Sequence, residues 1–464
     1  MKKCEKGLSF EECELAILRS AVDKIETKQG SALVKNPDVQ NMLAIVEDFI
    51  RDNELVCYGG TAINNLLPEQ DQFYNKNVDL PDYDFFSMKP LEHAKELADI
   101  FAEKGYDDIE AKAGMHPGTF KVYVNFVPIA DITMLVPEIF KAIKREAIQI
   151  DGILYTPPDY LRMSMYLELS RPNGDISRWE KVLKRLTLLN KYYPLKGIRC
   201  DQQNIQRKMA NKEVDGKRLF EVLRKILVNH GAVFFGSMGV SVIKNTTGAR
   251  KKVPPIPDFD VLATKPKRLA TIVRERLKKH GLDDVKVVKR TGIGEVISPH
   301  YEVQVYGDTV VMIYEPLACH SYNVVHYKKM AIRIATIDTM LSFYLAFLYS
   351  ERPYYVPDRI VCLAADLFDI QRKHRLSQHG LLRRFSLTCT GKQETLEDIR
   401  SHKTQRFKAL KNDRNSKEYQ YYFLKYTPKK ETVMSPQPPA PGPAPSKTRK
   451  RKTKRHAKKT RKTV

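Results

Sequence analysis

Leu55-Val56-Cys57-Tyr58-Gly59-Gly60-Thr61-Ala62-Ile63-Asn64-Asn65-Leu66-Leu67, followed by Asp82-Tyr83-Asp84-Phe85-Phe86, decides how the chain is read. The apolar start predicts a buried strand, the glycine pair a tight break, and Thr61 onward the first turn of a helix. Two residues without side chains let backbone amides approach an anion. The helix start behind them adds unpaired N–H groups and the positive end of a dipole. Asp82 and Asp84 fall where flanking aromatics predict another strand, which sets both carboxylates on one face. Like charges that close repel unless a cation joins them, and magnesium, a hard ion that prefers carboxylate oxygen, is the natural one.

A third carboxylate should come from a neighbouring strand. The run from Phe120 to Ile132 supplies it: Asp131 stands among apolar residues, where an unpaired charge would cost several kcal/mol. Singly, each feature has a plain reading, as a turn, a solvated loop, an N-cap or a salt-bridge partner. In the order strand, Gly-Gly, helix, Asp-x-Asp strand, then Asp on a later strand, they resemble the nucleotidyltransferase superfamily of DNA polymerase beta.

The 464 residues suffice for two or three domains, and 42% hydrophobic content is ordinary for a globular protein. No apolar run approaches the roughly 20 residues that span a bilayer, and Met1-Lys2-Lys3-Cys4-Glu5-Lys6 lacks the core of a signal peptide, so an intracellular protein without membrane partners is expected. Seven scattered cysteines with no Cys-x-x-Cys are expected to form neither a disulfide framework nor a zinc site, and Cys319-His320 reads as packing. Net charge is +24; Lys447 to Lys462 holds eleven Lys or Arg and no acid, which leaves +13 on the rest. A body that basic favours a polyanionic partner, RNA or DNA, over simple solubility.

Residues 10 to 52 read as two helices, the second beginning at Asn36-Pro37, where Asn caps and Pro suits the first turn. Leu91 to Lys104 is helical and ends at Gly105. A helix from Pro157-Pro158 stops before Pro172. The next places Ile176, Trp179, Val182, Leu183 and Leu186 on one stripe and Arg178, Lys181, Lys184 and Arg185 on other faces. That basic face is either solvated or engaged with phosphate.

Beyond Tyr193-Pro194 the pattern repeats. Ala232-Val233-Phe234-Phe235-Gly236-Ser237-Met238-Gly239 mirrors the strand and glycines, and Asp258-Phe259-Asp260 mirrors Asp82-Tyr83-Asp84, at 22 residues from Gly236 against 23 from Gly59. The copies differ at the third carboxylate. His300 to Glu315 reads as a hairpin turning at Gly307-Asp308, which puts the counterpart of Asp131 near Ile313 or Tyr314, whereas residue counting lands on Asp308. The second copy is therefore read as degenerate, with Asp258 and Asp260 as relics or structural caps. A mixed-charge helix from Glu394 to Lys411 and a tyrosine cluster at 419–426 follow. Ser435 to Pro445 is an extended linker to the basic tail, a nuclear signal or an RNA-binding arm.

The fold class expected is α+β, two tandem nucleotidyltransferase-like domains, each a small mixed sheet with flanking helices, over residues 1–198 and 199–426. A disordered basic tail covers 427–464. Tyr58 to Ile63, Pro81 to Ser87, Val127 to Ile132 and the segment Asp159 to Pro194 resemble the poly(A) polymerase catalytic subunit of large cytoplasmic DNA viruses. The likeness is nearer the African swine fever virus and giant-virus branch than the poxviruses, clear over about residues 40 to 195 and loose beyond.

The constellation assigns catalysis and the binding of two magnesium or manganese ions to Asp82, Asp84 and Asp131, and triphosphate binding to Gly59, Gly60 and the following helix start. Gly-Gly replaces the commoner Gly-Ser, so a hydroxyl for the triphosphate comes from Thr61 or is missing. The resemblance implies ATP as substrate, an mRNA 3′ end as acceptor, a homodimer, contact with the viral transcription machinery, and the host cytoplasm or virion as location. A CCA-adding or other RNA-tailing enzyme, and a non-catalytic RNA-binding scaffold, are the alternatives.

Overall fold

The computed structural model describes residues 9–429 apart from 76, 198, 199, 201–205, 208, 212, 213, 248–255, 328 and 329. The expected domain boundary at 198–199, the Pro-rich linker and the basic tail lie outside the described residues.

The chain opens with two helices, α1 (Phe10–Val34) and α2 (Pro37–Asp52). Asn36 caps α2 by accepting from the Asp38 amide at 2.9 Å, with Pro37 in the first turn. There follow β1 (Val56–Cys57), α3 (Gly59–Leu66), β2 (Tyr83–Ser87), α4 (Pro90–Glu103), β3 (Glu110–Ala113), β4 (Thr119–Val124), β5 (Val127–Met134), α5 (Pro137–Arg145), β6 (Ile148–Ile150), β7 (Ile153–Tyr155), α6 (Pro158–Leu169) and α7 (Trp179–Tyr192). The apolar run around Asp131 is a hairpin: Asn125 and Phe126, both at positive φ, turn β4 into β5. On α7, Val182 and Leu186 are buried as expected, but Ile176 precedes the helix and is exposed.

The second half repeats the series as α8 (Gly216–Asn229), β8 (Val233–Phe235), α9 (Gly236–Thr246), β9 (Phe259–Leu262), α10 (Pro266–Lys279), β10 (Val285–Arg290), β11 (His300–Val305), β12 (Asp308–Tyr314), β13 (His320–Tyr327), β14 (Met330–Ala335), α11 (Ile337–Leu348) and α12 (Pro357–Lys373). The final elements are β15 (Cys389–Thr390), α13 (Leu396–Leu410), α14 (Lys417–Phe423) and β16 (Lys425–Tyr426).

Two mixed sheets result, and their strand orders correspond: β3-β4-β5-β2-β1-β7-β6 in one and β10-β11-β12-β9-β8-β14-β13 in the other. The duplication read from the glycines and paired aspartates therefore extends through both sheets. Each sheet is extended by a late strand, at opposite ends: β15 joins β13, whereas β16 returns to β3 of the first sheet. The end of the segment expected to belong with the second half thus packs on the first. Tyr426 donates to Asp99 at 2.7 Å, and Lys403 donates to the Gly114 carbonyl at 2.7 Å.

The halves meet through α6 and α11. Ser321 N–H donates to the Ser170 carbonyl at 2.9 Å, the buried Tyr166 hydroxyl to Gln371 at 3.0 Å, and Arg352 pairs with Glu138 at 2.8 Å. Up to Pro428 the chain forms one connected body. No described helix is long and apolar enough to cross a membrane.

Two sequence expectations fail. Cys200 and Cys362 are bonded, as are Cys319 and Cys389, and Cys13 is also disulfide-bonded. Partners 162 and 70 residues apart in sequence leave no local spacing to read. The buried Cys57 alone is free among the described cysteines. The second hairpin also turns one residue earlier than read, at Tyr306-Gly307, both at positive φ, and Asp308 begins β12. The residue opposite Asp260 is therefore Met312 rather than Ile313 or Tyr314.

Candidate active site

The peptide from β1 into α3 is forced by its glycine. Gly59 sits at φ 74°, and a Cβ there would lie 2.5 Å from Asp84 Oδ2. The helix start and the carboxylate are therefore in direct contact. Tyr58, the N-cap, contributes no side-chain cap to α3, stacks on Phe86 with ring centroids 4.0 Å apart, and shares a 2.8 Å hydrogen bond with Thr133. First-turn amides of α3 thus start beside the aspartates without a side-chain acceptor at the cap.

Parallel pairing of β2 with β5 sets Asp84 directly opposite Asp131. Asp82 precedes β2, and its carbonyl accepts a 2.7 Å hydrogen bond from the buried Thr61 hydroxyl. The Thr61 hydroxyl, the one candidate for a hydroxyl on the triphosphate, thus uses its proton to brace Asp82. Burial, then Asp82 and Asp131, push the Asp84 carboxyl up to about 7, and burial with Asp131 pushes Asp82 up. Asp84 feels both of the other carboxylates and Asp82 feels Asp131, so the three sequence-predicted acids lie near one another.

Asp131 is paired with Lys121, its cross-strand partner on β4. Among the described residues, no three His, Cys, Asp or Glu side chains are gathered closely enough to hold a metal as they stand. The donor set nonetheless fits a divalent cation, because three hard oxygen donors repel one another at one place beside a helix start.

The α7 face supplies what the sequence left open. Arg178, just before α7, and Lys181 add to Lys121 in partly offsetting the upward shifts of Asp84 and Asp82 respectively, and Lys181 is itself lowered, chiefly by Arg185. Arg185 lies over Gly60, where a Cβ would come within 2.9 Å of its Nη2. It donates to the Tyr74 hydroxyl at 2.7 Å and covers the Phe73 ring at 4.8 Å. Asn64 Oδ1 accepts from the Phe73 and Tyr74 amides, both at 2.9 Å, and so pins that loop. Lys184 instead pairs with Glu180 in solvent.

Residues 44–175 match the family model of the poly(A) polymerase catalytic subunit. The resemblance drawn from the motifs is borne out over that stretch. The chain is 34% identical over 158 residues to a protein of Acanthamoeba polyphaga mimivirus named as a poly(A) polymerase catalytic subunit, covering 33% of this chain and 26% of the relative. It is also 34% identical over 164 residues to one of the same name from African swine fever virus (strain Badajoz 1971 Vero-adapted), covering 34% of each. The chain thus spans between a quarter and a third of the length of these relatives. The crystal structure of the Megavirus polyadenylate synthase superposes with a TM-score of 0.76 at 19% identity, over 93% of this chain and 90% of that one, which shows a shared fold.

The second half holds the same frame with different contents. Gly236, at φ 63°, abuts Asp260 as Gly59 abuts Asp84, and the Ser237 hydroxyl donates to the Asp258 carbonyl at 3.1 Å as Thr61 does to Asp82. Here, however, Arg207 pairs with Asp258 at 2.6 Å and Asp260 at 2.8 Å, and Arg359 reaches Asp258 at 3.3 Å. Burial alone would lower the Arg207 pKa, but the two carboxylates outweigh it and hold the guanidinium charged. Asp258 and Asp260 are structural ion-pair partners rather than caps.

Sequence reasoning missed Lys121, Tyr74 and Arg207. Lys121 could be found only once the β4–β5 register is known, and Tyr74 and Arg207 lie on irregular segments without a motif.

Proposed function

We propose that the chain transfers AMP from ATP to the 3′-hydroxyl of RNA and releases pyrophosphate, using the first half alone. The observation that carries this reading is Asp84 opposite Asp131 beside the Gly59 turn, where the same frame in the second half is filled by Arg207. Asp82, Asp84 and Asp131 would hold two magnesium or manganese ions, which when bound neutralise phosphate charge and acidify the attacking hydroxyl.

The remaining work falls to the chain itself. Amides of the first turn of α3 and its dipole receive the β and γ phosphates, and the missing side chains of Gly59 and Gly60 let Asp84 and Arg185 close against the same turn. Arg185, held by Tyr74 and Phe73, and Lys181 add fixed positive charge where pyrophosphate leaves. The RNA 3′-oxygen forms its bond to the α-phosphorus as the bridging bond to pyrophosphate breaks. Thr61 keeps Asp82 in place through its carbonyl.

The mRNA 3′ end as acceptor, the viral transcription machinery as partner and the host cytoplasm or virion as location belong to this proposal and rest on the family resemblance alone. The homodimer also stays within this proposal: α1 leaves Leu15, Leu18, Val22 and Ile25 exposed at heptad spacing. Purified chain with short RNA, magnesium or manganese and each NTP supplied separately should extend the RNA with ATP. Extension by CTP instead, or none with any nucleotide, would contradict the reading.

A further inference from the structure

We infer that the helix layer formed by α8 and α10 is a binding surface for single-stranded RNA, separate from the carboxylate site. The choice of RNA rests on the function proposed above. The surface itself is read from the duplication.

In the first half α2 and α4 form the corresponding layer, α4 lying on β3, β4 and β5 as α10 lies on β10, β11 and β12. α2 carries Asp38, Glu47, Asp48 and Asp52 against Arg51, and α4 carries Glu92, Glu96, Asp99 and Glu103 against Lys95, a net −3 on each. α8 carries Lys217, Arg218, Arg224 and Lys225 against Glu221, a net +3, and α10 carries Lys267, Arg268, Arg274, Arg276, Lys278 and Lys279 against Glu275, a net +5. The same layer of the same fold thus changes from −6 to +8. A fold-wide need for basic residues, or for solubility, would not separate the copies in this way.

The charges on α10 are free to act outward. None of its six cations forms an ion pair among the described residues, and all but Arg274 are exposed. The apolar positions Leu269, Ala270, Val273 and Leu277 face the sheet and are buried, so the cations occupy the opposite side of the helix. Unpaired like charges along one helix destabilise it slightly and gain from a polyanion that crosses them.

The surface is also concave where the two helices end. A cavity of about 350 Å³ lies between the start of α8 and the end of α10, lined among others by Arg218, His280, the 38% exposed Tyr306 and Asp215, whose carboxylate is taken up by the Lys217 and Arg218 amides. A cation beside an accessible aromatic ring, next to the cations of α10, suits unpaired bases with their phosphates, since every base can stack on such a ring. An acidic protein segment would use the cations but not the ring.

The test uses the full chain, so that the basic tail contributes equally to every sample. Binding of labelled single-stranded RNA is measured across a salt series for wild type, for Lys267→Gln, Arg268→Gln, Lys278→Gln and Lys279→Gln combined, and for Tyr306→Ala. The glutamine variant should bind at least about tenfold more weakly at physiological salt, with a log–log slope shallower by about 0.7 for each phosphate that is no longer neutralised. Its KM for ATP should be unchanged. Tyr306→Ala should weaken binding with the slope intact. Should the fourfold variant fail to melt cooperatively, the Lys267/Arg268 and Lys278/Lys279 pairs are tested apart. Wild-type affinity and slope in folded glutamine variants, or polyglutamate bound as tightly as RNA, would overturn the inference. RNA binding through α10 with no nucleotide added would sink only the proposed function; nucleotide addition with binding indifferent to α10 would sink only this inference.

Discussion

Gly59 makes the most specific demand of any residue in the chain. Alanine there meets both a positive φ and an Asp84 oxygen at 2.5 Å, so Gly59→Ala should displace the carboxylate and cut nucleotide transfer about a hundredfold or more, at a temperature below its somewhat lowered melting point. Wild-type turnover in that variant would mean that Asp84 is not where the chemistry happens. Arg185 sits over Gly60 on an aromatic support, and Arg185→Gln should raise KM for ATP by about tenfold to a hundredfold with a smaller change in kcat. An unchanged KM would reduce Arg185 to packing against Tyr74. On β13, His320 is buried with an unpartnered Nδ1, and burial together with Arg171 lowers its pKa to about 3. The unfolded value is about 6.5, so stability that depends on a neutral His320 is complete above that pH and is lost as pH falls toward 3. His320→Phe should therefore flatten the fall in melting temperature between neutral and acid pH; an equal fall in both proteins would exclude His320 as its source.

Among the elements, those with their own punctuation could be read from the sequence. Asn36-Pro37 started α2, Gly105 followed α4, and Pro172 followed α6, because caps and prolines act on their own neighbours. The aspartate pairs and glycines were legible for the same reason. What escaped depends on pairings between distant residues: the disulfides, the return of β16 to β3, and the Lys121 pairing with Asp131. The hairpin slip at Tyr306 shows how a one-residue error in a turn changes which residue faces Asp260. Arg207 belongs to this class, since it reaches β9 from an irregular segment. Arg207→Gln would leave two buried carboxylates short of a partner and should cost about 3–5 kcal/mol, read as a lowered melting temperature. RNA tailing assayed below that temperature should persist. A variant as stable as wild type would show that the ion pairs with Asp258 and Asp260 do not support the second half.

The whole molecule is two copies of one frame put to different ends, with carboxylates facing one another in the first and an arginine between them in the second. α6 against α11 and the returning β16 make the halves one body, so the second supports the first even without chemistry of its own. The exposed stripe on α1 belongs to this scale: light scattering should give the mass of a dimer, and Leu18→Glu with Val22→Glu should give a monomer that still adds nucleotides. A wild-type monomer would exclude the dimer. The central claim is that transfer occurs in the first half only, and it is tested most directly by measuring AMP incorporation into an RNA 3′ end by three folded full-length proteins: wild type, Asp84→Asn and Asp260→Asn. Wild type and Asp260→Asn should incorporate AMP at comparable rates, and Asp84→Asn should be slower by several orders of magnitude. Incorporation that survives Asp84→Asn, or disappears with Asp260→Asn, would contradict it.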